Sequence, residues 1–155
     1  MAGRAGRGDK PGRVIIQTYL PDDPVIRAVA MHDRSIFTDH DHAQRSEALY
    51  PPFVRLVNIL AWGADERATR TYVERVAAEL REDVAARAAY GDSALQILGP
   101  APCVIERAKD RYRYHVIVKA PFDYPVSETV GATLASVGAK PGVSVSVDVD
   151  AYDLM

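Results

Sequence analysis

The sequence predicts an α+β fold, a four-stranded antiparallel sheet with two main helices on one face in the order βαββαβ, preceded by an N-terminal arm of one strand and two helices. Three patterns lead there. Tyr72, Val73, Val76, Ala77, Leu80, Val84 and Ala88 recur at three- and four-residue steps, which makes one apolar helical stripe opposite a charged face. Val143, Val145, Val147 and Val149 alternate with Ser144, Ser146 and Asp148, the pattern of a strand with one face buried. Residues 112–120 alternate in the same way. The 155 residues, 48% hydrophobic and 26% charged, suit one ordinary globular domain. A chain of this length buries roughly 70% of its unfolded surface, enough for a core without a metal or disulfide.

Taken in order, residues 1–13 read as a basic loop, because Gly3, Gly6, Gly8, Pro11 and Gly12 oppose a continuing helix. Arg13 to Tyr19 is β-branched and reads as a short strand, followed by a turn from Pro21 to Pro24. Pro24 suits a first helical position, and Val25, Ile26, Val29 and Ala30 continue a short helix. A second helix is expected from Ser35, as N-cap, to Leu49. It is stopped by Tyr50-Pro51-Pro52-Phe53, where two prolines force an extended segment. A boundary there gives an arm over 1–49 and a compact unit over 50–155. In that unit Phe53–Trp62, Ala94–Leu98, Tyr112–Ala120 and Val143–Val149 read as strands. A long helix follows Gly63 and Asp65, and a second spans Ser127–Val137. Helices covering one face of such a sheet make a ferredoxin-like sandwich.

Several function classes drop out. The net charge is −2, so no bulk electrostatic attraction for nucleic acid exists and any such claim rests on local patches. No apolar run spans a membrane and the first 13 residues hold no secretory core, so a cytoplasmic protein without membrane partners is expected. The single Cys103 fits a reducing compartment and excludes a CxxC zinc site built from this chain. Asp39-His40-Asp41-His42, with His32 and Asp33 upstream, offers metal-ligand atoms. On a helix, however, positions two apart point about 200° away from each other, so a polar helix surface is expected and no metal site. Trp62 and the aromatics of residues 50–53 are expected to pack in the core and a turn. Neither a GxxxxGK[ST] phosphate loop nor a DExH box is present, so ATP hydrolysis by this chain alone is not expected.

Two basic clusters remain. In Arg111-Tyr-Arg-Tyr-His-Val-Ile-Val-Lys119, alternation sends Tyr112, Tyr114, Val116 and Val118 toward the helices. Arg111, Arg113, His115, Ile117 and Lys119 then lie on the open face, beside a loop carrying Arg107 and Lys109. That face is either an ordinary solvated strand surface or a site for a carboxylate or polyanion. In Gly3-Arg4-Ala5-Gly6-Arg7-Gly8, two arginines three apart on a glycine-rich backbone suit phosphate oxygens, or form a flexible basic tail.

The blocks GRAGRGDKPGRVIIQTYLPDDPVI, YPPF, ILGPAPCVIERAKDRYRYHVIVKAP and VSVDVDAYDLM, in this order and spacing, resemble the C-terminal region of the primosomal protein N′ (PriA) family of replication-restart DNA helicases. The resemblance implies that residues 1–49 are the end of the second helicase lobe with connecting helices. Ala2 to Arg7 then resemble helicase motif VI, and Arg4 and Arg7 inherit catalytic contacts with ATP phosphates in the intact helicase. It implies that residues 50–155 are a ribosomal S10-like domain. Such a domain docks branched or forked DNA, other primosome proteins and the acidic C-terminal tail of single-stranded DNA-binding protein. Arg111 matches a tail-contacting arginine, and His115 stands where a glutamine is usual. Arg107, Lys109, Arg113 and Lys119 are the DNA-binding candidates. ATP with Mg2+, and zinc, are implied only for the full-length protein, and no cofactor for this chain. The alternative is a self-standing ferredoxin-like domain that binds protein or nucleic acid and is unrelated to helicases.

Overall fold

The computed structural model describes residues 14–88 and 95–151. They form α1 (Pro24–Met31), α2 (Arg34–Glu47), β1 (Arg55–Gly63), α3 (Glu66–Ala88), β2 (Gln96–Ala108), β3 (Arg111–Ala120), α4 (Val126–Val137) and β4 (Val143–Val149). The strands make one sheet in the spatial order β2-β3-β1-β4, with every neighbouring pair antiparallel. From β1 onward the chain therefore follows the predicted βαββαβ path of a ferredoxin-like α+β domain. By its contacts the chain divides into two compact units, residues 1–44 and 45–155. No described helix is long and apolar enough to cross a membrane.

The core of the second unit follows from alternation. Val57, Ile59 and Ala61 of β1 and Tyr114, Val116 and Val118 of β3 are buried in one cluster. The predicted α3 stripe, Tyr72, Val73, Val76, Ala77 and Leu80, packs there together with Val126, Val130 and Val137 of α4. Each fully buried aliphatic side chain contributes about 1.5–3 kcal/mol relative to exposure. Polar groups fix the helices on the sheet. The Asp65 carboxylate accepts from the Ala68 amide at 2.8 Å and caps α3. The Tyr114 hydroxyl donates to Glu66 in the first turn of α3 at 3.0 Å. The Ser136 hydroxyl of α4 donates to Glu79 of α3 at 2.7 Å. At the far edge Arg55 grips the Asp150 carboxylate with two hydrogen bonds, 3.0 and 2.9 Å, and these hold the Asp150 pKa below its ordinary value.

Some expected elements differ. Residues 14–19 form no strand, and Val14, Ile15 and Ile16 are exposed, because a β-branched run without a neighbouring strand has no ladder in which to satisfy its backbone. In α2 the cap is Asp33 and not Ser35. Its carboxylate accepts from both the amide and the hydroxyl of Ser35, at 2.9 and 2.7 Å, so the helix starts at Arg34 and ends at Glu47. β1 begins at Arg55, two residues after the expected Phe53. The largest difference is β2, which runs to Ala108 through Gly99, Pro100 and Pro102. Its pairing with β3 shifts register between Leu98 and Ala101 and again between Pro102 and Arg107. Proline is tolerated there because β2 is an edge strand and the irregularities release the amides from the ladder. Arg107 consequently belongs to β2 and not to a loop.

Gly63 closes β1 where the first turn of α3 and the turn before β4 meet. A Cβ at this position would stand 2.6 Å from both the Gly142 carbonyl oxygen and Thr69 Oγ1. Thr69 is not free to retreat, since it is buried and donates to the Asp65 carbonyl at 2.7 Å. Gly63→Ala is therefore expected to destabilise the chain by about 1–3 kcal/mol, the usual range for overpacking. Urea unfolding of the two proteins checks this, and an unchanged midpoint would show that the junction has slack.

Candidate docking site on the open face

The side of the sheet away from the helices takes its chemistry from β3. With Tyr114, Val116 and Val118 buried in the core, their neighbours Arg113, His115, Ile117 and Lys119 fall on the opposite face, as alternation requires. In the register, Arg113 lies opposite Trp62, and Trp62 opposite Ser144 of β4. His115 lies between Ala101 of β2 and Leu60 of β1, with Ser146 beyond.

At one end of this face is a cavity of about 450 Å3. Leu60 and Trp62 supply apolar surface, Lys109, Arg111 and Arg113 line it with positive charge, and Ala108 and Ser146 complete it. Among the described residues no acidic side chain lines it. Lys109 and Asp110 form the two-residue connection between the paired Ala108 and Arg111, both with positive φ (51° and 58°), as the tight turns that join strands require. This turn brings Lys109 beside Arg111. Chemically the cavity combines guanidinium forks suited to a carboxylate or phosphate with an apolar floor suited to a hydrophobic side chain.

The predicted basic residues separate into groups. Lys109, Arg111 and Arg113 share the cavity. Arg107 sits elsewhere, with its guanidinium carbon 5.2 Å from the Tyr112 ring centroid and a 3.0 Å ion pair to Asp110. Lys119 is only 7% exposed. Its ammonium donates to the Ala48 carbonyl at 2.8 Å and lies 4.0 Å from the Tyr50 ring centroid, so its charge is spent within the fold. His115 does not line the cavity. It is half-buried with Nδ1 shielded and without a hydrogen-bond partner, as is Asn58 Oδ1 on the same face. Burial pushes the His115 pKa down and the positive charge of Arg113 adds to this, so the fold favours the neutral imidazole. Arg4 and Arg7 lie outside the described residues.

Trp62 corrects the sequence reading. Expected in the core, it lines the cavity instead, because Ala61 beside it faces the helices. The signal was available: Val57, Ile59 and Ala61 claim one face of β1, and Leu60 and Trp62 must take the other. His40 and His42 lie in α2, and among the described residues no three His, Cys, Asp or Glu side chains gather as a metal site. Cys103 is buried on β2, where desolvation raises its thiol pKa, so it is no reactive thiolate.

Residues 46–152 match the family described as Primosomal protein N C-terminal domain. Three curated proteins called Replication restart protein PriA are similar to this chain. That of Synechocystis sp. is 40% identical over 78% of the chain, that of Bacillus subtilis 32% identical over 100%, and that of Chlamydia pneumoniae 31% identical over 97%. The chain spans only 14–19% of the length of these relatives. The chain belongs to the Primosomal protein N C-terminal domain family and corresponds to the C-terminal region of replication restart protein PriA.

Proposed function

We propose that this chain serves as the docking region of a replication-restart DNA helicase in the bacterial cytoplasm. In this reading its open face receives the acidic C-terminal tail of single-stranded DNA-binding protein, and its basic rim contributes to binding branched or forked DNA next to other primosome proteins. The observation that carries the reading is the cavity where Arg111, Arg113 and Lys109 stand over Leu60 and Trp62. An acidic tail ending in a free carboxylate needs a bidentate donor for that carboxylate and an apolar floor for its terminal side chain, and the cavity offers both. Lys109 and Arg113 are the DNA contacts in this scheme. Arg107 and Lys119, held by Asp110 and by Ala48 with Tyr50, contribute less. ATP with Mg2+, and zinc, belong to the full-length protein.

Titration of a labelled acidic tail peptide, with and without its last residue, tests the pocket. With only part of the parent protein present, affinity is expected at tens to hundreds of micromolar, about 5–6 kcal/mol. Losing one arginine from a desolvated charge pair costs about 2–5 kcal/mol, so Arg111→Ala should abolish measurable binding. Equal binding by the two proteins, or by the two peptides, would remove the tail from this face.

The arm is tested in the intact helicase. Arg4→Ala or Arg7→Ala is expected to depress ATP turnover by about 100-fold or more with DNA affinity retained, because these arginines stabilise charge on the transferring phosphate. Parallel loss of ATPase and DNA binding would instead identify a DNA-binding tail.

His115 sets a pH dependence. Its folded pKa lies below its unfolded value, so the unfolded chain binds more protons between the two, and stability falls as pH drops through that window. The expected result is a lower melting temperature as pH goes from about 7 to about 5, with a smaller drop in His115→Gln, whose amide is a neutral polar group at either pH. Superimposable pH profiles would show that His115 is not held neutral by the fold.

A further inference from the structure

A second basic cleft lies away from the open face, between α3 and the segment that leads from α4 into β4. It has a volume of about 290 Å3, and its polar and charged side chains are Thr71, Tyr72, Arg75 and Lys140. Among the described residues no acidic side chain lines it.

Both walls are fixed by the sequence. Thr71 and Arg75 are four residues apart on α3 and share one face of the helix. The opposite wall starts at Gly138, which ends α4 with φ 73° while its amide donates to the Leu134 carbonyl. It continues into Lys140-Pro141-Gly142-Val143, a type II turn. Proline stands at its second position, Gly142 at its third with φ 81°, and the Val143 amide donates to the Lys140 carbonyl at 3.1 Å. The turn is seated against Gly63, whose missing side chain leaves room for the Gly142 carbonyl. Lys140 is consequently half-buried and presented from a rigid turn.

The acids nearest to the two bases in the chain are engaged elsewhere. Arg75 has Glu79 four residues on, the usual position for a helical ion pair, yet Glu79 accepts from Ser136. Glu74, next in sequence, is bound by Arg70 at 2.9 Å. Among the described residues neither Arg75 nor Lys140 makes an ion pair. Tyr72, buried in the core cluster, lines the cleft together with Arg75. A guanidinium, an ammonium and two hydroxyl-bearing side chains line a small cleft with no acid among the described residues, a donor set suited to an oxyanion such as a phosphoryl group.

We infer that the cleft between Thr71–Arg75 and Gly138–Pro141 binds a phosphate group, with Arg75 and Lys140 as its charged contacts and Thr71 and Tyr72 as hydroxyl donors. This site is separate from the Arg111 cavity and does not depend on the proposed tail docking. Its phosphate comes either from a nucleic-acid strand or from a free phosphate. The experiment is an amide NMR titration of the folded chain with inorganic phosphate at constant ionic strength, chloride being the control. The expected result is saturable shifts at Gly138, Ala139 and Lys140 that chloride does not produce. These shifts should weaken by about tenfold or more in Arg75→Gln and in Lys140→Gln, the loss of one charge-assisted hydrogen bond, and persist in Arg111→Ala. Identical melting temperatures establish that the variants are folded. A 5′-phosphorylated dithymidine that binds more tightly than inorganic phosphate assigns the group to nucleic acid, and equal binding assigns it to free phosphate. Shifts that chloride reproduces, or that survive both substitutions, overturn the site.

Discussion

All nine residues of β1 pair with β3 in an unbroken antiparallel register, from Arg55 opposite Ala120 to Gly63 opposite Tyr112. Side chains alternate along both strands, so this register decides the destination of every residue on them at once. With Val57, Ile59, Val116 and Val118 beneath the helices, Leu60, Trp62, Arg113 and His115 have only the open face. A slip by one residue would bury Arg113 and His115 and expose the valines, with the cost of desolvating a guanidinium added to the loss of apolar burial. The core thus enforces the position of the bases, and the candidate docking site needs no fold of its own.

The same face treats its charges in two ways. Near the β2–β3 turn, Lys109 and Arg111 remain next to apolar surface without a carboxylate among the cavity's residues. At the other end Lys119 is withdrawn from solvent. Burying an ammonium is expensive unless its charge is compensated, and here a backbone carbonyl and the Tyr50 ring compensate it together. Two prolines in Tyr50-Pro-Pro-Phe53 restrict the segment that carries this ring, lowering the entropy lost when it is placed over the strand. One lysine therefore secures a connecting segment, while the bases on the far end of the strand line the cavity with no acid among its described residues.

What could be read from the sequence was whatever repeats. The period-two patterns of β3 and β4 and the helical stripe of α3 gave the element order and the two faces of the sheet. The basic set of β3 was legible for the same reason. Features that break a period were not. Gly99, Pro100 and Pro102 looked like the end of a strand, because nothing local says that β2 lies at an edge where such residues are tolerated. Val14 to Ile16 looked like a strand because β propensity is local while a ladder requires a partner. Lys119 was grouped with the other bases by alternation alone, which carries no information on a segment 71 residues earlier in the chain. The turn that presents Lys140 was written plainly as Pro-Gly, yet its relation to Arg75 depends on how α4 packs on α3, which no spacing in the sequence encodes.

The net charge of −2 conceals this organisation because it averages over pairs that cancel locally. Asp150 is held by Arg55, Glu74 by Arg70 and Asp110 by Arg107, while Glu66 and Glu79 accept from the hydroxyls of Tyr114 and Ser136. Each contact engages an acid at a strand end, a turn or a helix face. An acid held in such a contact is not available to a base elsewhere, so a cleft lined by bases and by no acid among the described residues stays locally basic in a chain of net charge −2. Oxyanion recognition is therefore governed by where the acids are committed more than by how many bases the chain contains. Among the described residues no acid lines the cleft on the open face or the cleft beside α3, and that is the condition recognition of a carboxylate or a phosphate would require.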